Sequence, residues 1–155
     1  MNKRKPKQDE SLLLFSFFNE IGIISQLAGN MFERQLPDGL TNSQFGVLNW
    51  FHRVDSEATP SRLATAFQVT GGAMTNTLKK LEAKGLIKVE PDANSGRQKR
   101  VTITKKGRAM RQQAIAAAAP LLAEFAEAFS ASMIEKQTRQ LQKVRQYLDE
   151  YRYRP

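Results

Sequence analysis

The middle of this 155-residue chain holds two short helical segments with only three residues between them. Pro60 opens the first, predicted over Ser61 to Phe67, because the N–H that proline lacks has no partner at the start of a helix anyway. Gln68, Val69 and Thr70 lead into the second, predicted over Gly71 to Lys84. Thr70 is placed to cap it, and Gly85 to end it in the left-handed conformation. Leu86 to Glu90 then alternates as a strand. Residues 91–98 carry Pro, Asp, Asn, Ser and Gly and read as a hairpin loop. Lys99 to Thr104 alternates again, with Val101 and Ile103 on one side and Arg100 and Thr102 on the other. Helix, turn, helix, strand, loop, strand is the order of a winged helix-turn-helix.

Charge falls on the same stretch. Residues 1–59 carry 6 basic and 7 acidic side chains, net −1; residues 60–108 carry 11 and 3, net +8; residues 109–155 carry 7 and 5, net +2. Almost all of the chain's +9 thus sits in 49 residues. A generic solvated surface would spread it more evenly, so a polyanionic partner is indicated, nucleic acid before an acidic membrane.

Long helices flank this segment. The first ten residues are charged and contain Pro6, so residues 1–10 are expected to be a flexible basic arm. From Ser11 to about Arg34, Leu14, Phe17, Phe18, Ile21, Ile24, Leu27, Ala28, Met31 and Phe32 recur at three and four. A helix this apolar needs more cover than one small domain gives, and a second subunit is expected to supply it. Thr41 or Asn42 can cap a helix to about Arg53, with His52 solvated in its last turn, and residues 54–59 read as a polar turn. From Thr104 or Lys105 an alanine-rich helix runs to about Phe129, kinked or divided at Pro120. Ser132 with Glu135 fits a capping box for a last helix whose seam is Ile134, Leu141, Val144, Leu148 and Tyr151. The expected fold is therefore mainly α with a small β-hairpin wing.

Several classes are disfavoured. The chain has no cysteine and one histidine, which rules out disulfides and thiolate metal sites and argues against a transition-metal site. Neither metal nor cofactor is expected. No nucleophile motif, phosphate loop or acid–base cluster is recognisable, so an enzyme is not expected. The apolar run from Leu12 to Phe18 is too short for a span and lacks a clean cleavage site, so the expectation is a cytoplasmic protein without a membrane partner.

The helix from Gly71 separates into two faces at about 100° per residue. Met74, Thr77, Leu78 and Leu81 share one arc; Gly72, Thr75, Asn76 and Lys79 share the opposite one. The second face suits a helix whose N-terminal half enters the major groove. There Asn can pair with adenine, and Thr can bond a base edge or touch a thymine methyl. Two glycines at the start cost the helix about 1 kcal/mol each, a cost that close backbone approach to a phosphate would explain. Arg97, Lys99 and Arg100 sit at or past the loop tip and Lys88 on the incoming strand, where a wing reaches the adjacent minor groove. The candidate DNA-contacting set is Ser61, Arg62, Thr70, Gly71, Gly72, Thr75, Asn76, Lys79, Lys80, Arg97 and Lys99.

The run Thr70–Gly71–Gly72–Ala73–Met74–Thr75–Asn76–Thr77–Leu78–Lys79–Lys80–Leu81–Glu82–Ala83–Lys84–Gly85–Leu86–Ile87 resembles the MarR family of bacterial transcription regulators. So do Asp92–Ala93–Asn94–Ser95–Gly96–Arg97–Gln98–Lys99, then Thr102–Ile103–Thr104 and Gly107. The resemblance covers about residues 11–151. It implies one domain over 11–155, with dimerisation helices at 11–34 and 109–155 and a winged helix-turn-helix at 41–108. It also implies a homodimer on a pseudo-palindromic operator, acting as a repressor, with the family's wing arginine at Arg97. The family commonly has an acid two residues before that arginine; here it is Ser95, which leaves Asp92 as the acid for a wing ion pair. The resemblance further implies a site for a small aromatic or phenolic effector, for which Phe45, Trp50 and Phe51 are the available aromatics, although aromatics at helical spacing are commonly core. The competing readings are a winged-helix module that binds proteins and a basic protein that binds DNA without sequence preference.

Overall fold

A computed structural model describes residues 7–93 and 95–151, with the backbone alone for Gly96 and Arg97. The chain forms two compact units, Met1–Ala117 and Ala118–Pro155.

In the first unit α1 spans Gln8–Glu33, a single 3₁₀ turn spans Pro37–Gly39, and α2 spans Asn42–Arg53. Next come β1 (Glu57–Ala58), α3 (Pro60–Phe67), α4 (Gly71–Ala83), β2 (Ile87–Asp92), β3 (Ser95–Ile103) and α5 (Lys105–Ala117). Threonines set the helix starts. Thr41 accepts the Gln44 N–H at 3.3 Å, Thr59 that of Arg62 at 3.2 Å, Thr70 that of Ala73 at 3.2 Å, and Thr104 that of Gly107 at 3.0 Å. Each hydroxyl satisfies an amide that the helix leaves unpaired. Gln68, in the left-handed region at φ 52°, ends α3 and turns the chain toward α4. Gly85, at φ 70°, ends α4 as expected.

One apolar core joins α2, α3, α4, the sheet and α5. Val47, Leu48, Trp50 and Phe51 of α2 meet Leu63 of α3 and Met74, Leu78 and Leu81 of α4. Leu86, Ile87, Val101, Ile103 and Met110 close the cluster from the sheet and α5.

Three features differ from the sequence reading. Residues 54–59, expected as a polar turn, contain β1, which pairs antiparallel with β3 through Glu57↔Thr102 and Ala58↔Val101. The hairpin is thus a three-stranded sheet of order β1-β3-β2. A two-residue strand shows no periodicity, and only its burial of Ala58 reveals it. The expected loop at 91–98 is mostly ladder: Pro91 lies opposite Lys99 and Asp92 opposite Ser95, with an irregularity between Pro91 and Asp92. Pro91 is tolerated because β2 is an edge strand. The arm expected over 1–10 is helical from Gln8, where Asp9 and Glu10 in the first turn complement the helix dipole and Glu10 accepts the Lys7 N–H at 2.9 Å. Residues 1–6 of that arm lie outside the described residues.

No residue of α1 is buried. By length and composition it is long and apolar enough to cross a membrane, with an 18-residue window of mean hydropathy 1.4. This corrects the expectation that no stretch reaches such a length. Asn19 and Glu20 break the run of letters, but a window average tolerates two polar residues. Core helices of soluble proteins and leader segments share this length and composition.

The second unit comprises α6, Ala119–Ala128, and α7, Ala131–Tyr151. The long helix expected from Thr104 or Lys105 to about Phe129 divides here, where Pro120 sits in the first turn of α6 and cannot continue α5. The cap of α7 is Ser130, which accepts the Met133 N–H at 3.3 Å. The expected box of Ser132 and Glu135 does not form: Ser132 already lies inside the first turn and Glu135 pairs with Arg139 at 3.1 Å. Ile134, Leu141, Leu148 and Tyr151 are exposed.

Candidate nucleic-acid interface

Helix α4 is anchored by Met74, Leu78 and Leu81, all buried. Gly71, Gly72, Thr75, Asn76, Lys79 and Lys80 are exposed, so the two arcs read from the sequence are the inner and outer faces of one helix. The Thr75 hydroxyl donates to the Gly71 carbonyl at 2.8 Å. Its hydrogen is therefore spent on the backbone, and what Thr75 offers outward is a methyl group and oxygen lone pairs. Among the described residues the Asn76 carboxamide has no hydrogen-bond partner, which leaves both its donor and its acceptor for a base edge. A Cβ added at Gly71 or Gly72 would meet nothing within 4 Å. Packing inside the protein therefore does not require either glycine.

The start of α3 carries Ser61 and Arg62, both exposed. The Ser61 hydroxyl lies 3.1 Å from that of Thr59. Arg62 is held from two sides. Its Nη1 donates to Asp55 Oδ2 at 2.6 Å, and its Cζ stands 5.2 Å from the centre of the Trp50 ring. The hydrogen bond from the Arg62 guanidinium is the main reason the Asp55 carboxyl titrates below the ordinary aspartate value of 3.8.

On the wing, Lys88, Gln98 and Lys99 are exposed, whereas Arg100 turns to Glu57 of β1 at 3.1 Å. The Arg97 side chain, and with it the wing ion pair in question at Ser95 and Asp92, lies outside the described residues. Asp55 and Glu57 escaped the sequence reading because they sit in a stretch that looks like a solvated turn. The cue was available: two acids, one residue apart, immediately before a segment with a large basic excess. His52 is exposed, as expected.

The aromatics proposed for an effector site divide. Trp50 and Phe51 belong to the core and meet edge to face at 5.4 Å. Phe45 is half-buried.

The fold, the exposed helix face and the sheet behind it define a winged helix-turn-helix protein. Residues 38–98 match the sequence model of the MarR family. The described fold is also similar to that of BldR, a transcriptional regulator from Sulfolobus solfataricus, at 28% identity and a TM-score of 0.75, covering 92% of this chain and 99% of that one. Wild-type MarR from E. coli, in its apo form, is similar at 26% identity and a TM-score of 0.70, covering 81% and 94%. A cysteine-to-serine mutant of E. coli MarR complexed with operator DNA is similar at 29% identity and a TM-score of 0.62, covering 82% and 96%. The comparison with curated proteins returns no match. The match to the MarR family model is confined to residues 38–98, and the described fold is similar to that of E. coli MarR.

Proposed function

We propose that the chain is a cytoplasmic, sequence-specific DNA-binding regulator of transcription, acting as a homodimer and as a repressor on a pseudo-palindromic operator. The observation that carries this reading is the outer face of α4. It presents Gly72, Thr75, Asn76 and Lys79 to solvent from a helix pinned by three buried side chains, in the segment of net charge +8. The operator-bound mutant of E. coli MarR supports DNA as the partner.

Dimerisation is supported by apolar surface that neither unit covers for itself. Leu12, Leu13, Phe15, Ile24 and Leu27 of α1 are each more than half exposed, and Ile134, Leu141 and Leu148 of α7 nearly so. Patches of this kind are characteristic of interfaces. A small aromatic effector would have to enter beside Phe45, because Trp50 and Phe51 serve the core.

Selection of bound sequences from random DNA, followed by sedimentation of the protein alone, tests the reading. A regulator of this kind selects an inverted repeat with half-sites about 10 base pairs apart and sediments as a dimer. Recovery of no preferred sequence, with binding that still falls steeply with salt, would leave a non-specific basic protein. Absence of DNA binding would leave the protein-interaction module.

A further inference from the structure

We propose that Asp55 is a positioning residue for DNA binding: it holds the Arg62 guanidinium, stacked on Trp50, in the pose in which it meets a backbone phosphate. The proposal rests on Arg62 being a DNA contact, as read above. The first helix of a helix-turn-helix crosses the DNA backbone, and Arg62 lies in the first turn of α3 with about half of its side chain open to solvent.

An unrestrained arginine carries several rotatable bonds, and freezing them on binding weakens the complex. Here the freezing is done in advance. The Asp55 carboxylate fixes one end of the guanidinium at 2.6 Å. The Trp50 ring, itself locked in the core, lies against the guanidinium at 5.2 Å. Thr59 fixes the Arg62 backbone by accepting its N–H. A guanidinium has five N–H donors; the carboxylate takes one of them, and the others remain for phosphate oxygens. Arginine suits this dual use because its planar fork binds a second anion without releasing the first.

The opposing view is that Asp55 merely neutralises Arg62. The two views differ in sign. Plain electrostatics says that removing an acid from a DNA-binding surface tightens binding. Positioning says that it loosens binding.

The test uses the full chain, a duplex of scrambled sequence and a salt series. Arg62→Ala is expected to weaken binding and lower the log–log salt slope by about one per bound subunit. Asp55→Asn is expected to weaken binding about threefold per bound subunit without changing the slope. Added to Arg62→Ala, Asp55→Asn is expected to produce no further loss. Glu90→Gln, which removes an exposed acid from β2, controls for charge and is expected to leave binding unchanged or slightly tighter. The single tryptophan reports the guanidinium directly: Asp55→Asn and Arg62→Ala are both expected to change Trp50 emission in the free protein.

Tighter or unchanged binding by Asp55→Asn, with Arg62→Ala still weak, would overturn the positioning role and leave Arg62 as a contact. A further loss in the double variant, or Trp50 emission unaltered by Asp55→Asn, would overturn it as well. If Arg62→Ala altered neither affinity nor slope, the contact itself would fail, and the proposal with it.

Discussion

A Cβ placed on Gly107 would lie 2.0 Å from the carbonyl oxygen of Leu86 and 2.9 Å from Cγ1 of Ile103. The Leu86 carbonyl cannot retreat, because it accepts the Thr104 N–H at 3.1 Å and its own side chain is fully buried. Thr104 adds a second tie by donating its hydroxyl to the Gly85 carbonyl at 2.8 Å. The start of α5 is thus pressed directly on the chain leaving α4, and a glycine makes that approach possible. Gly107→Ala is expected to destabilise the protein by about 3 kcal/mol, the upper range for an overpacked site. Urea unfolding measures it, and an unchanged midpoint would mean that α5 is free to shift.

Gly71 and Gly72 show the reverse. Open space surrounds both, so Gly72→Ala is expected to stabilise the free protein by about 0.5–1 kcal/mol through helix propensity. The same substitution is expected to weaken DNA binding, because the added methyl holds the backbone off the phosphate. Thermal melting and duplex titration of one protein sample separate the two effects. A variant that gained stability and kept its affinity would show that the glycines face no DNA.

The bond from Thr75 to the Gly71 carbonyl spends its hydroxyl hydrogen, so on the proposed DNA-reading face its methyl is the group expected to read sequence. Thr75→Ser keeps the hydroxyl and loses the methyl; Thr75→Val does the opposite. On the selected operator, Thr75→Val is expected to bind close to wild type, and Thr75→Ser to lose about 1 kcal/mol at a thymine-containing step. The reverse order would assign the reading to the hydroxyl.

The elements whose residues repeat were legible in the sequence. The inner arc of α4, its Thr70 cap and the stop at Gly85 all follow from local chemistry, and the structure has them there. What was hidden depends on partners distant in sequence. β1 exists because Ala58 finds Val101, 43 positions away. The extension of the wing to Asp92 and Ser95 comes from pairing across an edge that tolerates Pro91. Trp50 and Phe51 were candidates for an effector site although their helical spacing favoured a core, and burial assigns both to the core. Asp55 gave no periodic signal, and its partner was visible only once α3 had been built.

The Asp55–Arg62 pair also carries a pH dependence of known sign. The carboxyl titrates below 3.8 when folded. The pair's contribution to stability is therefore fully present above the ordinary aspartate value and is lost as pH falls through the folded value. Both partners are well exposed to solvent, so the effect is small and screened by salt. In Arg62→Ala the Asp55 titration, followed by NMR, is expected to return toward 3.8, and the contribution of Asp55 to the acid-side loss of stability to shrink with it. An unchanged titration would mean that the ion pair does not persist in solution.

Reading and positioning should separate between α4 and the wing. Asn76 sits on the outer face of α4 with a carboxamide that has no partner among the described residues, a group that can bind adenine in two places at once. Lys99 offers an exposed ammonium on β3, which a phosphate recognises whatever the sequence. Asn76→Ala is expected to cost about 1–3 kcal/mol on the selected operator and little on a scrambled duplex. Lys99→Ala is expected to weaken both duplexes to a similar extent and to lower the salt slope by about one per bound subunit. Titrations of both duplexes over a salt series resolve the two variants in one experiment. Equal losses on the two duplexes for Asn76→Ala would remove its base-reading role. An unchanged slope for Lys99→Ala would take this part of the wing off the DNA.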